Sequence, residues 1–191
     1  NQVSAMKRMV DDFRDYAKTP PAILDSLDLN GLIEEILNLY LAGDGRDIIH
    51  PILAPNLPKV MGDATQLRQV IHNLLQNAQD ALIDQGADGR VPHIDVVTEA
   101  INYHSADGEV RCAVRFSIKD NGLGFAPEIL ARAFEPYVTS KQRGTGLGLA
   151  MVKKIIDEHG GRIEIQNRSD ARGAKVVILL LKLAPDAIAL D

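Results

Sequence analysis

The sequence predicts an α/β (α+β) two-layer sandwich, in which helices cover one face of a mixed, mainly antiparallel sheet and one bundle helix precedes the sandwich. Three observations predict it. Strand patterns occur in adjacent pairs, at residues 93–101 with 110–119 and at 162–167 with 174–183. Amphipathic helical patterns lie between these strand pairs and do not alternate strictly with single strands. Polar turn residues join the two members of each pair, as hairpins require.

The N-terminal helix carries its apolar residues on one narrow seam. Spacings of three and four residues alternate along Val3, Met6, Val10, Phe13 and Ala17. This spacing is typical of a bundle or coiled-coil helix, although a helix packed on its own domain fits it equally well. The prolines at positions 20 and 21 end the helix. We therefore divide the chain into a bundle helix at 1–20, a globular domain at 26–184 and a tail at 185–191.

The globular domain is expected to begin with a helix at residues 30–41, started by Asp28 or Asn30 and ended by Gly43, and then a strand at 47–53. A long helix starts with a capping-box-like pattern at 63–66 and runs to about residue 85. A short helix follows at 127–133. The last helix begins after Gly146 and ends at residues 160–161, where two glycines follow each other.

Composition excludes several classes of function. The chain has 191 residues, 46% of them hydrophobic and 25% charged, with a net charge of -5. It shows no basic stripe, which disfavours nucleic acid and anionic lipid as partners. Cys112 is the only cysteine and lies in an alternating apolar segment, so we expect it in the core. No apolar stretch is long enough to span a bilayer and no signal peptide opens the chain, which gives this piece a cytoplasmic character.

Two carboxamides stand four residues apart in the long helix, within residues 69–81 (QVIHNLLQNAQDA). Positions i and i+4 lie on one face, so Asn73 and Asn77 point the same way. Asparagine is a poor former of helix interiors, and two on one stripe suggest a polar partner such as a hydrated divalent cation with a phosphate chain. A solvated helix face is the alternative.

A second segment, residues 120–125 (DNGLGF), follows a predicted strand. It could be a plain turn, but Gly124 and the apolar Phe125 do not fit a hairpin. A carboxylate such as Asp120 can accept a hydrogen bond from an exocyclic amino group, and a glycine beside it lets a flat base approach the backbone. Such an acceptor favours adenine over guanine, which carries a carbonyl at that place.

Glycines at positions 144, 146 and 148 (RGTGLGL, residues 143–149) open the last helix. Glycine costs about 1 kcal/mol relative to alanine inside a helix, which suggests that backbone must approach a ligand here. Bare amides at a helix N-terminus form an anion site suited to phosphate. The spacing fits neither a dinucleotide fingerprint, whose third glycine would stand at Leu149, nor a P-loop, which needs Gly-Lys-Ser/Thr.

Between the two glycine segments, residues 133–137 (AFEPY) and 139–143 (TSKQR) lack periodicity. Thr139, Lys141 and Arg143 are read as part of a mobile lid over phosphates, in which the two cations are charge partners. A solvated loop is the alternative. Phe134 could anchor the lid or belong to the core. Mg2+ takes few ligands from protein, and one carboxamide oxygen, that of Asn77, meets its demand.

These segments, in this order, resemble the N box, first glycine box, F box and second glycine box of the histidine-kinase ATP-binding domain, a member of the Bergerat-fold ATPase superfamily. The resemblance covers about residues 26–184. Residues 6–17 resemble the second helix of the dimerisation and phosphoacceptor hairpin, particularly in nitrogen-regulatory sensor kinases of the NtrY and NtrB kind.

The resemblance implies a protein-histidine kinase that binds ATP and Mg2+. It implies that the whole protein dimerises through its helical hairpin, passes phosphate to an aspartate of a response regulator and anchors this cytoplasmic domain to the inner membrane. Asn77 would bind the metal, and Asn73 would reach it through water. The residues expected at the nucleotide are Asn73, Asn77, Asp80, Asp120, Gly122, Gly124, Phe134, Thr139, Lys141, Arg143, Gly144, Thr145, Gly146, Leu147, Gly148 and Leu149.

Two departures from the family pattern bear on activity. None of the histidines at positions 50, 72, 93, 104 and 159 fits the phosphoacceptor motif, so the acceptor is expected upstream of residue 1. Hydrolytic members of the superfamily place a glutamate base where this chain has Asn73, which favours transfer to a protein nucleophile over transfer to water. A hydrolytic or clamp ATPase, and a nucleotide-binding interaction module without catalysis, are the alternatives.

Overall fold

A computed structural model describes residues 2–42, 47–83, 89–139 and 144–185 of the chain. The elements are α1 (Gln2–Ala17), β1 (Asp25–Leu27), α2 (Leu29–Leu41), β2 (Ile49–Leu53), β3 (Val60–Gly62), α3 (Ala64–Ile83), β4 (Ile94–His104), β5 (Val110–Asp120), α4 (Pro127–Leu130), α5 (Gly148–Glu158), β6 (Arg162–Asn167) and β7 (Ala174–Leu180).

The main sheet has five strands in the spatial order β2-β4-β5-β7-β6. Strand β2 runs parallel to β4, and every other neighbouring pair is antiparallel. Both predicted hairpins are present, since β4 pairs with β5 from Ile94↔Asp120 to His104↔Val110 and β6 pairs with β7. The prediction of a mixed, mainly antiparallel sheet is therefore confirmed.

Helices α2, α3 and α5 pack against one face of this sheet, also as predicted. Side chains alternate along a strand, and in β5 Val114, Phe116 and Ile118 all point into the core. Ile36, Leu75 and Ile155 meet them from the three helices and are fully buried. Truncating one of these helix residues to alanine should lower the free energy of unfolding by about 2–5 kcal/mol.

The sequence patterns missed one small element. Strands β1 and β3 form a separate antiparallel pair of three residues each, with Leu27 opposite Val60. Three residues are too few for a period-two pattern to be recognised. The predicted strand at 174–183 ends earlier, at Leu180, and the chain beyond it bridges to β3 through Val60 and Leu183.

Helix α3 begins with a half-formed capping box. The Asp63 carboxylate accepts from the backbone N–H of Gln66 at 3.1 Å, as an N-cap should. The Gln66 side chain does not reach back to Asp63, because its amide donates to the carbonyl oxygen of Pro20 at 2.8 Å. The backbone N–H of Asp63 donates to Nε2 of the buried His159 at 3.0 Å.

Two predicted helix ends fall outside the described residues. These are Gly43, the expected end of α2, and position 85, the expected end of α3. Asp28, one of the two proposed starts, is the N-cap of α2 and accepts from the backbone N–H of Gly31. Within the described ranges, no helix has both the length and the apolar character needed to cross a membrane.

Candidate functional site

A cavity of about 360 Å³ lies between α3, the start of α5, the loop after β5 and one side of α1. Its floor is apolar and comes from the core side of the sheet and the helices, including Leu74, Ile118 and Val176. Polar groups converge on it from separate elements. The predicted residues that line it are Asn73, Asn77, Asp80, Asp120, Gly124, Thr139, Gly144, Thr145, Gly146, Leu147, Gly148 and Leu149.

The two carboxamides of α3 face the start of α5 across this cavity. Asn73 donates from Nδ2 to the carbonyl oxygen of Gly148 at 3.5 Å. A Cβ added to Gly148 would lie 4.0 Å from Nδ2 of Asn77, so this glycine leaves room directly beside that side chain. Asn73 and Asn77 therefore face the N-terminus of α5, and their carboxamides line the same cavity as the first backbone groups of that helix.

The N-terminus of α5 opens onto the cavity without a side-chain cap. Leu147 occupies the N-cap position, makes no capping hydrogen bond through its side chain and lines the cavity. The first N–H groups of a helix have no partners within it and carry the positive end of the macrodipole. Gly146, in front of them, has a φ of +70°, which only glycine adopts without strain. The arrangement can bind an anion such as phosphate.

Asp120 also lines the cavity and is only 6% exposed. Its Oδ1 atom accepts from the backbone N–H of Gly122 at 2.8 Å and from that of Ala174 at 3.3 Å. Burial raises the pKa of this carboxyl above its ordinary value, against the opposing effect of the two backbone donors. A carboxylate held in this way can accept a further hydrogen bond from a ligand in the cavity.

Gly122 and Phe134 are not among the residues that line the cavity, unlike their predicted neighbours. Gly122 lies behind Asp120, where an added Cβ would come within 2.7 Å of the carbonyl oxygen of Ala81 on α3. It positions the carboxylate through its N–H and does not face the cavity. Phe134 packs against the hydrophobic core. Lys141 and Arg143 lie outside the described residues.

The donor set suits a metal that takes few protein ligands. Among the described residues, no group of three His, Cys, Asp or Glu side chains is arranged to hold a metal ion. A site for Mg2+ would therefore rely on carboxamide oxygen, ligand phosphate and water, which matches the preference of this ion for oxygen ligands with several retained waters. The Asn77 carboxamide, which lines the cavity beside the uncapped N-terminus of α5, fits that role.

Residues 62–185, more than half of the chain, match the family of histidine kinase-, DNA gyrase B- and HSP90-like ATPases. The matched range contains the whole five-stranded sheet except β2 and most of the cavity walls. The chain belongs to this ATPase family.

Curated relatives of this ATPase domain are bacterial regulatory proteins. Nitrogen regulation protein NtrY of Azorhizobium caulinodans is 32% identical over 97% of this chain and 23% of its own length. Sensory histidine kinase/phosphatase NtrB of Rhizobium meliloti is 31% identical over 96% of this chain and 47% of its own length. The chain thus spans less than half the length of these relatives.

Solved structures of histidine kinases share the fold of the ATPase domain. Full-length ShkA in complex with AMPPNP superposes with a TM-score of 0.70 at 27% identity, over 93% of this chain and 36% of its own. Histidine kinase ThkA in complex with the response regulator protein TrrA superposes with a TM-score of 0.70 at 26% identity, over 97% of this chain and 49% of its own.

One wall of the cavity in the ATPase domain was missed from the sequence. Helix α1 contributes a stripe made of Ala5, Arg8, Asp12 and Asp15. Their spacings of three, four and three place them on one helix face, nearly opposite the apolar seam. The seam was singled out because it is apolar, and the same periodicity applied to the charged residues would have shown the second face.

The C-terminal end of α1 is fixed to the ATPase domain by polar contacts. The Lys154 ammonium of α5 donates to the carbonyl oxygen of Tyr16 at 2.9 Å and lies 5.4 Å from the centre of its ring. The Thr19 hydroxyl, which donates to the carbonyl oxygen of Asp15 at 2.7 Å, also contacts Sδ of Met151 at 3.4 Å, and Met151 itself lines the cavity. These contacts hold the charged stripe of α1 beside the cavity.

Proposed function

We propose that this chain is the ATP-binding catalytic part of a two-component sensor histidine kinase. The whole protein would transfer the γ-phosphate of ATP to a histidine and pass it on to an aspartate of a response regulator. The observation that carries the proposal is the convergence of three ligand-binding features on one cavity. These are the Asn73 and Asn77 stripe, the uncapped N-terminus of α5 and the buried carboxylate of Asp120.

The base of ATP would bind at the Asp120 end of the cavity. Ionised Asp120 can only accept hydrogen bonds, and the exocyclic amino group of adenine can donate one. Its Oδ1 atom is already engaged by the N–H groups of Gly122 and Ala174, which fix the orientation of the carboxylate. Gly124 lines the cavity next to it and leaves its backbone open to a flat ring.

The triphosphate would lie toward the other end, against the N-terminus of α5. The amides that follow Leu147 would bind phosphate oxygens, helped by the helix macrodipole. Mg2+, when bound, would neutralise charge on the phosphates, with Asn77 as a direct ligand and Asn73 as a ligand through water. Thr139, Gly144 and Thr145 line the cavity nearby and would contact the phosphates.

The surroundings of two of the chain's histidines support a phosphoacceptor outside this chain. His159 is 1% exposed, and its ring nitrogens face the N–H of Asp63 and the carbonyl oxygen of Ile155. His72 is bound through Nδ1 to the hydroxyl of Tyr40 at 3.0 Å. Neither is placed as an exposed nucleophile, and the absence of a glutamate at position 73 favours transfer to a protein side chain over hydrolysis.

Helix α1 would belong to the dimerisation hairpin of the whole protein. Its apolar seam is exposed, with Val3 at 72% and Val10 at 64%, and such a face on a soluble helix is expected to pack on another helix. The response regulator is proposed as partner because ThkA was solved with one bound. We further propose that the domain lies on the cytoplasmic side of the inner membrane, anchored by parts of the protein outside this chain.

Nucleotide binding is tested by titrating the chain with ATP in the presence and absence of Mg2+ and measuring the heat of binding. Substitution N77A should weaken Mg-ATP binding more than tenfold while changing the affinity for adenosine little, since only the metal contact is lost. The matched control is N38A, an exposed asparagine within a helix remote from the cavity, which should leave both affinities unchanged. If N77A and N38A changed the affinity for Mg-ATP equally, Asn77 would not be the metal ligand.

Phosphotransfer is tested with γ-labelled ATP. The chain alone should acquire no acid-labile label and should hydrolyse ATP slowly over many turnovers. Label should appear on the full-length protein and be lost when its acceptor histidine is replaced. The proposal that the acceptor histidine lies outside this chain would be wrong if the chain acquired acid-labile label that disappears when one of its own histidines is replaced. Fast, steady hydrolysis of ATP by the chain would also contradict the proposal.

A further inference from the structure

Asn167, the last residue of β6, holds the loop that follows β5 at two points. Its Oδ1 atom accepts from the backbone N–H of Phe125 at 2.7 Å. Its Nδ2 atom donates to the backbone carbonyl oxygen of the same residue at 2.8 Å. One side chain thus satisfies both backbone polar groups of Phe125, in the way that a neighbouring strand would.

The held loop is one wall of the cavity. Leu123, Gly124 and Phe125 all line it, next to Asp120. Gly124 has a φ of +75°, and a Cβ added to it would come within 2.8 Å of Oδ1 of Asn167. Glycine is therefore required at position 124 both for the backbone conformation and for the close approach of the Asn167 carboxamide.

The turn between β6 and β7 also approaches the backbone of Asp120. A Cβ added to Gly173 would lie 2.0 Å from the carbonyl oxygen of Asp120. Nη1 of Arg168 donates to that same oxygen at 3.3 Å. Nε and Nη2 of Arg168 donate to the Asp170 carboxylate. The turn is thus in contact with the backbone of the residue whose carboxylate lines the cavity.

We propose that Asn167 is a positioning residue that sets the selectivity of the cavity for adenine. It acts through the backbone of Phe125, which holds Leu123 and Gly124 in place beside Asp120, so that a base against this wall meets the carboxylate that distinguishes an amino group from a carbonyl. The inference rests on the proposed nucleotide function and deepens it. Without the two hydrogen bonds, both backbone polar groups of Phe125 lose their partner in β6, and the wall beside the base is no longer held at one distance.

The first test compares ATP and GTP binding to the full chain. Substitution N167A should weaken ATP binding by up to about tenfold, because binding must then order a loop that two net hydrogen bonds no longer hold, and should weaken GTP binding less, so that the ATP:GTP affinity ratio falls. N167D keeps the size and polarity of the side chain but places an oxygen against the carbonyl of Phe125, and it should reproduce the effect of N167A. The control Q166A changes the exposed preceding residue of β6 and should alter neither affinity.

A purely structural role would lower both affinities by the same factor together with the melting temperature, and an unchanged ATP:GTP ratio in N167A would overturn the proposal. A second measurement does not depend on nucleotide. Hydrogen exchange of the Phe125 amide should become at least tenfold faster in N167A, which removes the Oδ1 acceptor, and stay unchanged in Q166A. If the wild-type chain binds no nucleotide, the proposed function fails. Unchanged exchange in N167A would refute the positioning role by itself.

Discussion

The backbone N–H of Tyr137 donates to the carbonyl oxygen of Gly146 at 3.0 Å, so the chain before and after residues 138–145 is joined at its base. Both residues have positive φ, +67° for Tyr137 and +70° for Gly146. A tyrosine in this region is uncommon and unfavourable, and such residues persist where their surroundings over-determine them. The hydrogen bond therefore ties Tyr137 to the segment directly before α5, where Gly146 lines the cavity.

Replacing Gly146 by alanine should disrupt this junction. The new Cβ would lie 2.5 Å from the carbonyl carbon of Tyr137, in addition to the backbone strain at positive φ. Mg-ATP affinity should fall at least tenfold with little change in adenosine affinity, measured by calorimetry. The matched control is G108A in the β4–β5 turn, where φ is +84° but nothing lies within 4 Å of the added atom. If G108A impairs binding equally, backbone strain in general and not this junction is responsible.

Adenine recognition should weaken in acid. The Asp120 carboxyl has a raised pKa because it is buried, and only its ionised form can accept from an amino group without presenting a proton. Affinity for adenosine should therefore decline as pH falls through a window above the ordinary carboxyl pKa of about 4. The variant D120N should bind adenosine weakly at every pH and show no such decline. A pH profile shared by both proteins would assign the titration to another group.

The same residue should make binding and stability respond oppositely to pH. A raised folded-state pKa means that the folded protein holds this proton more tightly than the unfolded chain. The contribution of Asp120 to stability is therefore fully present below its unfolded pKa and is lost as pH rises through its folded pKa. At pH 7, the free energy of unfolding of D120N, measured with urea, should be no lower than that of the wild type. A clear loss of stability in D120N would show that the ionised form supports the fold.

The features that could be predicted from the sequence are those that depend on residues close together in the chain. Asn73 and Asn77 share a helix face because of the 3.6-residue period, and the glycines before α5 mark an uncapped helix end in the chain itself. The family resemblance alone was enough to predict that those features surround one binding site. The sheet could be predicted in the same way, because its long strands alternate over many residues.

The remaining features depend on contacts between distant parts of the chain. Asn167 reaches Phe125 across 42 positions, and an asparagine at a strand end looks like any turn residue. Gly122 was expected at the ligand but supports Asp120 from behind, since no pattern in the sequence shows which side of a loop faces a cavity. The contact between Lys154 and Tyr16, which holds the end of α1 beside the cavity, is again a tertiary one.

Asp63 should stabilise the domain in a pH-dependent way. Partial burial raises the pKa of this carboxyl, but the backbone N–H groups of Ile23, Gln66 and Thr65 outweigh it and hold the pKa below its ordinary value. A lowered folded-state pKa gives stability that is present above the unfolded pKa of about 3.9 and is lost as pH falls through the folded one. D63A should lower the free energy of unfolding by about 1–2 kcal/mol at pH 7, as loss of an N-cap does.

The pH dependence separates this effect from a general loss of packing. The difference in unfolding free energy between D63A and the wild type should shrink when urea unfolding is repeated below pH 4. D28A removes the comparable N-cap of α2, whose carboxylate binds Gly31 but does not reach the segment after α1. D63A should also increase exchange of the Ile23 amide, which Asp63 binds at 3.0 Å, and D28A should not. Equal exchange of the Ile23 amide in both variants would show that the Asp63 carboxylate does not hold the segment after α1.

Arg8 is the one cationic side chain among the described residues that line the cavity. It lies on the same face of α1 as Asp12 and Asp15, beside Asn73 and Asn77. An exposed charge pair contributes up to about 1 kcal/mol, so R8Q should weaken Mg-ATP binding about two- to fivefold and leave adenosine binding unchanged. The effect should diminish at high salt because exposed charges are screened.

Arg14 provides the control for this prediction, since it belongs to the same helix but does not line the cavity and pairs with Asp11 at 3.7 Å. R14Q should leave both affinities unchanged. The two aspartates of the stripe should act in the opposite sense, because carboxylates repel a phosphate chain that carries no metal. D12N should therefore raise the affinity for ATP without Mg2+ more than that for Mg-ATP. If R8Q and R14Q bind Mg-ATP equally, the charged face of α1 does not reach the phosphates and its place beside the cavity has no part in nucleotide binding.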